Sequence, residues 1–257
     1  MGQRLDNAKA LYLRAIGDGD YVEAITNLSG ARYTQHSTPV RNGREGFIEF
    51  FQNFTRRNPS RDIQIVRSFE DGQYVFLHVL QFLNDGEFQY VTADIFDTDD
   101  DARLIEHWDV IEELRVPTVG ERTQLDGPAE ATEAGDAGQT ENTKALVRRY
   151  VHEVLGRADH DRIAEFVTDD LAQHHPDIGD GAKALRGYAR AAHLRYVDVH
   201  LVIGSGDFVA VLAHVEAHGI QHAVIDLFRV EDDQIVEQWS VAEEITPEST
   251  WVNSGKF

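Results

Sequence analysis

The chain contains no cysteine, one methionine, six prolines and, counted along the sequence, four lysines (Lys9, Lys144, Lys183, Lys256) against twenty arginines. Without cysteine there can be no disulfide, no thiolate metal site and no cysteine nucleophile. No run approaches the roughly 18 apolar residues of a membrane helix, and Met1–Asp6 does not read as a secretory leader. The expectation is a cytoplasmic protein with no membrane partner. There is also no basic patch to neutralise phosphates, which argues against nucleic acid as a partner.

Acid is abundant instead. Asp and Glu number 45 against 24 Lys and Arg, a formal charge of −21. An acid-rich, lysine-poor surface suits a halophilic protein, because molar salt screens like charges beyond about 3 Å. An ordinary acidic protein with an acidic linker is the plainer alternative. Hydrophobic residues make up 42%, enough for packed cores.

One stretch organises the rest. Leu104–Ile111 reads L-I-E-H-W-D-V-I and is echoed by Ile235–Val241, I-V-E-Q-W-S-V. Alternation in the first copy puts Ile105, His107, Asp109 and Ile111 on one strand face and Glu106, Trp108 and Val110 on the other. In the echo, Gln238 and Ser240 stand where His107 and Asp109 do.

The chain also repeats at larger scale. Helical spacing covers Asn7–Ile16 and Tyr21–Leu28. An extended piece, 31–39, ends at Pro39 and the Asn42-Gly43 turn. Arg44–Phe54 then carries Phe47, Phe50, Phe51 and Phe54 on one stripe, the mark of a helix packed on a core. Period-two segments follow near 62–69, 73–83, 87–97 and 103–113, with turns at Asp71-Gly72 and Asn84-Asp85-Gly86. Val116–Gln139 has no periodicity and reads as a linker. From Asn142 the order recurs: Asn142-Thr143-Lys144-Ala145-Leu146 on Asn7–Leu11, Gln173-His174-His175-Pro176 on Gln35-His36 and Pro39, Asp226-Leu227-Phe228 on Asp94-Ile95-Phe96, Glu237-x-Trp239 on Glu106-x-Trp108. The offset runs from 135 to 131. This is a duplication. The expected fold is α+β: two tandem cone-shaped domains, each with N-terminal helices packed on a curved antiparallel sheet, with a pocket at the open end. The expected domains are 1–118, a flexible acidic linker at 119–140, and 141–257.

Gln35-His36, Tyr74-Val75-Phe76-Leu77-His78, Asp94-Ile95-Phe96 and Leu104–Val110 together resemble the SnoaL-like polyketide cyclases of the nuclear-transport-factor-2-like superfamily. Asn253-Ser254-Gly255-Lys256-Phe257 is similar to the N-x-N-G-x-F tail of one subgroup. Ala102 and Arg103 replace the Gly and Lys of the family's G-K-I signature. The resemblance implies cofactor-free, aldol-type lyase or isomerase chemistry on a small hydrophobic, ketone-bearing ligand. It makes Asp109 the general acid or base, with His107, His78, His36 and Gln35 as polar partners in the pocket. A non-catalytic binding or scaffolding protein is the alternative. It also implies a pseudo-dimer of the two domains within one chain, with Trp108 and Trp239 in the core or near that contact, and leaves further self-association open.

Physically, a carboxylate in an apolar pocket has its pKa raised by desolvation, and neutral imidazole can donate to an enolate oxygen. Against this, Asp109 could simply cap a loop or pair an arginine. Asp94 and Asp226 recur in both copies within apolar strands and stand among the candidate ligand-binding residues, although the recurrence favours a structural hydrogen bond over chemistry. The second copy has Leu212 in place of His78 but keeps His174, His175 and His222, which could still bind a ligand. His214 and His222 flank a turn, yet no HExxH-like spacing is present and no metal is expected.

Overall fold

In the computed structural model, residues 2–132 and 135–257 are described. The chain forms two compact units, one comprising Met1–Glu113 and Thr246–Phe257, the other Leu114–Ile245.

In the first unit α1 (Gln3–Tyr12) runs into a widened helical turn, Leu13–Asp18, that ends at Gly19 with φ 81°. Leu5, Ala8, Leu11, Tyr12, Ala15 and Ile16 are buried along its inner side. After α2 (Tyr21–Leu28) comes β1 (Ser29–Gln35), then α3 (Gly43–Arg57), whose phenylalanine stripe packs on the core. Strands β2 (Arg61–Asp71), β3 (Tyr74–Leu83), β4 (Phe88–Thr98) and β5 (Leu104–Glu113) form the expected meander. Its turns use left-handed backbone at Gly72 and at Asn84, Asp85 and Gly86. The sheet order is β1-β5-β4-β3-β2. It is open, because β1 and β2 are its edges.

One strand departs from the all-antiparallel expectation. β1 pairs parallel to β5, with Gln35 opposite His107. Residues 31–35 of the expected extended piece thus join the sheet next to the H-W-D stretch, giving a mixed sheet.

The second unit repeats the plan with α4 (Ala137–Tyr150), a widened turn at Val151–Leu155, a 3-10 turn at His160–Glu165, β6 (Val167–Gln173), α5 (Ala182–Ala191) and strands β7 (Arg195–Ser205), β8 (Phe208–Ala217), β9 (Ile220–Glu231) and β10 (Gln234–Glu244). Its order is β6-β10-β9-β8-β7. The buried stripe Val147, Tyr150, Val151, Val154 and Leu155 matches Ala8, Leu11, Tyr12, Ala15 and Ile16. The first helices therefore superpose one turn away from the Asn7/Asn142 match. A slip of four residues keeps the same helix face inward, so sequence similarity alone does not exclude it.

Part of the segment expected as linker makes hydrogen bonds within the second unit. The Thr118 amide donates to the Pro176 carbonyl (2.8 Å), Arg115 pairs with Asp177 (2.7 Å), and the Trp239 indole donates to the Asp126 carbonyl (2.8 Å). Residues 114–126 thus close the second unit, as 246–257 close the first. The part of the expected linker at residues 133 and 134 lies outside the described residues.

Candidate functional site

The alternation of β4 and β5 and the parallel docking of β1 turn polar side chains into the mouth of the first cone. Gln35, Ser37, Gln81, Asp94, His107 and Asp109 line a cavity with Tyr12 and Tyr33, and its remaining walls include Ile16, Phe47, Phe50, Phe51 and Phe54. The empty space is about 630 Å³, open mouth included. The phenylalanine stripe thus serves as both core and cavity wall.

Two carboxylates meet here. Asp94 on β4 stands directly opposite Asp109 on β5. Asp94 Oδ1 lies 2.9 Å from His107 Nε2, and Oδ2 accepts from the Thr92 hydroxyl at 2.7 Å. His107 Nδ1 donates to Gln35 Oε1 (2.9 Å), with the amide oriented as it is here. One proton is left to share along the Nε2–Oδ1 line. Thr92 continues to the Tyr12 hydroxyl (2.8 Å), which accepts from Gln81 (2.7 Å). Burial pushes the Asp94 carboxyl above its ordinary range, and the charge of Asp109 adds to this against the opposing effect of His107.

Asp109 behaves differently. Burial works to raise it, but the Lys256 ammonium, then His107 and the Ser37 hydroxyl, bring it below the ordinary carboxylate value. Lys256 Nζ donates to Asp109 Oδ1 (3.2 Å) and to the Asp109 carbonyl (3.1 Å). The raised pKa expected of a carboxylate in an apolar pocket therefore belongs to Asp94, whereas Asp109 is held ionised.

Lys256 arrives on the closing segment. The Asn253 amide donates to the carbonyls of Ser37 (2.6 Å) and Val40 (2.9 Å), and Asn253 Oδ1 accepts from the Gly255 amide (2.9 Å). Gly255 sits at φ 99°, and a Cβ there would lie 2.4 Å from the Trp251 ring. Glycine is required at that turn.

The remaining expected site residues fall elsewhere. His36 does not line the cavity. Its Nδ1 donates to the Gly255 carbonyl (2.8 Å), its Nε2 meets Glu106 Oε1 (2.9 Å), and its ring stacks on Trp108. His174 repeats the arrangement with the Thr123 carbonyl, Glu237 and Trp239. The recurring Glu-x-Trp core is thus a histidine clamp on each closing segment. His78 is also outside the cavity. It alternates with cavity-side Leu77, Val79 and Gln81, and its Nδ1 lies 3.0 Å from buried Arg67.

In the second unit His175 Nδ1 accepts from the Asp177 amide, and burial lowers its pKa to about 4. His222 lies on β9 opposite Val215 and Glu244, lowered by burial. Asp226, raised by burial, accepts from the Tyr196 hydroxyl and from Gln238 (3.4 Å). Tyr196 is paired with Val215 across the ladder, where the first unit pairs Ile63 with Gln81. A tyrosine thus reaches the aspartate from a position held by isoleucine in the first cone. Gln124 is buried where the first unit has Lys256, judged from the two histidine-bound carbonyls one residue earlier. Ser240 for Asp109 and Gln124 for Lys256 remove both charges together.

Sequence reasoning missed Tyr33, Ser37 and Lys256. The tail signature was visible, but nothing in linear order joins residue 256 to residue 109.

A profile of the SnoaL-like domain matches residues 10–107 and 147–238. The chain belongs to the SnoaL-like domain family. Solved structures similar to one SnoaL-like unit include three bacterial proteins. The first is an NTF2-like protein of unknown function from Cytophaga hutchinsonii, at 18% identity over 39% of this chain and 89% of that one, TM-score 0.37. The second, provisionally described as a polyketide cyclase, is from Bacillus cereus, at 18% over 42% and 74%, TM-score 0.38. The third, provisionally described as a ketosteroid isomerase, is from Kribbella flavida, at 18% over 42% and 83%, TM-score 0.37. A comparison with curated proteins finds no match.

Proposed function

We propose that the first SnoaL-like unit is a cofactor-free lyase or isomerase acting on a small ketone-bearing molecule by carboxylate-mediated proton abstraction. The observation that carries this reading is the pair Asp94 and Asp109, adjacent in one apolar cavity with pKa values displaced in opposite directions. Such a split assigns acid and base roles. Asp109, kept ionised by Lys256, accepts the proton from the carbon next to the carbonyl, and the bonding pair moves to the carbonyl oxygen. The Asp94–His107 pair holds the proton available for return. Gln35 and Thr92 orient that pair from either side.

The second unit is read as a non-catalytic partner or binder. Ser240 faces Asp226 and hydrogen-bonds its carboxylate, which burial pushes above its ordinary range, Gln238 does not titrate, and the Tyr196 hydroxyl also occupies that carboxylate.

Exchange of α-hydrogen for deuterium in cyclic ketones, followed by NMR in D2O, tests the proposal. Exchange accelerated over buffer by the wild type and lost in Asp109→Asn supports it. No acceleration across a panel of ketones, or equal rates in the two proteins, overturns it.

A further inference from the structure

The polar side chains of the first cavity have protein partners, with one exception. His107 is held at both nitrogens, Asp94 at both oxygens, and Tyr12 by Thr92 and Gln81. Tyr33 lies on β1 two residues before Gln35, so strand alternation turns both toward the cavity. Its ring meets Phe47 edge-on at 5.8 Å, and the residue is 3% exposed. Among the described residues no group is hydrogen-bonded to its hydroxyl. A buried hydroxyl without a partner costs free energy that phenylalanine, with the same ring, would avoid.

The electrostatics define what such a hydroxyl can do. Burial first, then the charges of Asp94 and Asp109, push the Tyr33 phenol far above its ordinary value. It stays protonated and is available as a donor. The same carboxylates repel an anionic ligand, so the fitting acceptor is a neutral oxygen. The second unit has Leu171 at this ladder position, where Gln238 and Ser240 also replace His107 and Asp109.

We propose that the Tyr33 hydroxyl donates to the carbonyl oxygen of the ligand, so that the cavity selects an apolar ketone over the hydrocarbon of the same shape. This rests on the functional reading above only in placing a ketone in the cavity; it concerns recognition and needs no turnover. A site built to hydrogen-bond a ligand oxygen discriminates against the analogue lacking it, because a buried polar group is then left unpaired.

The probes are 1-tetralone and tetralin, titrated against the full chain by NMR. Wild type should bind 1-tetralone at least about tenfold more tightly than tetralin, the size of a typical hydrogen-bond contribution. Tyr33→Phe should bring that ratio close to one by weakening 1-tetralone alone, with the melting temperature unchanged or higher. A purely structural role would lower the melting temperature and leave the ratio intact. Lack of preference in the wild type, undetectable binding of 1-tetralone, or an unchanged ratio in Tyr33→Phe overturns the proposal. The two proposals fail separately. Deuterium exchange that survives Asp109→Asn, with preference lost in Tyr33→Phe, removes the base and keeps the donor. Exchange lost in Asp109→Asn, with preference intact in Tyr33→Phe, does the reverse.

Discussion

Asp94 and Asp109 face each other across the β4–β5 ladder, yet only Asp109 has an ammonium group against it. Two neighbouring buried carboxylates raise each other's pKa, and a single cation relieves the one it touches. Lys256 decides which of the two is the anion.

Removing the anion should remove the chemistry. Asp109→Asn should slow α-deuterium exchange by at least about a hundredfold, the low end for a missing general base. Ser240→Ala, at the matching place in the second unit, should change the rate little. Equal losses from the two substitutions would show that the units were assigned the wrong roles.

Lys256→Met tests the origin of the charge. The Asp109 pKa is depressed in the folded chain, so its stabilising contribution is present above the unfolded value, about 3.9, and disappears as pH falls through the lower folded value. Without the ammonium, burial drives the Asp109 pKa up, and the acid limb of the exchange-rate profile should move to higher pH. Breaking a buried pair from one side costs roughly 3–5 kcal/mol. Urea unfolding should show that loss near pH 7 and a smaller one once Asp109 protonates. A loss independent of pH would mean that Lys256 acts by packing alone.

Asn253 anchors the closing segment through three hydrogen bonds. Asn253→Ala should speed hydrogen exchange at the amides of Val252, which donates to Thr38, and Gly255 by about tenfold or more. Strands β3 and β4 should keep their protection. If the tail amides exchange no faster, the segment is held by other contacts and the anchor has been misassigned.

The charge of −21 makes its own prediction. Raising potassium chloride from about 0.1 M to about 2 M should raise the melting temperature, because screening relieves repulsion among surface carboxylates. A flat or falling trend would leave the acidity without a halophilic explanation.

Much of the fold was legible because periodicity and turn chemistry are local. The period-two runs became β2–β5 within a residue or two of their expected ends, and the phenylalanine stripe became the inner face of α3. Strand parity also placed His107 and Asp109 together. Parity within one strand does not say which face of the next strand matches it. His78 was therefore grouped with residues on the opposite side of the sheet. The parallel pairing of β1 depends on a contact across some seventy residues, and with it the Gln35–His107 bond. Lys256 is more remote still. The pKa of Asp109 reversed sign on a cation that no local pattern could supply.

The exchange of closing segments sets a schedule for synthesis. A ribosome finishes β1–β5 early, but Lys256, Asn253 and the carbonyl clamped by His36 are not made until the whole second unit has been translated. The nascent first unit thus carries Asp94 and Asp109 side by side without the ammonium that pairs with Asp109, and its cavity gains that charge only after the second unit has been made. For the same reason no single cut yields two finished halves. A fragment stopping at Glu113 lacks its lysine, and one starting at Leu114 carries it as an overhang outside its own compact unit.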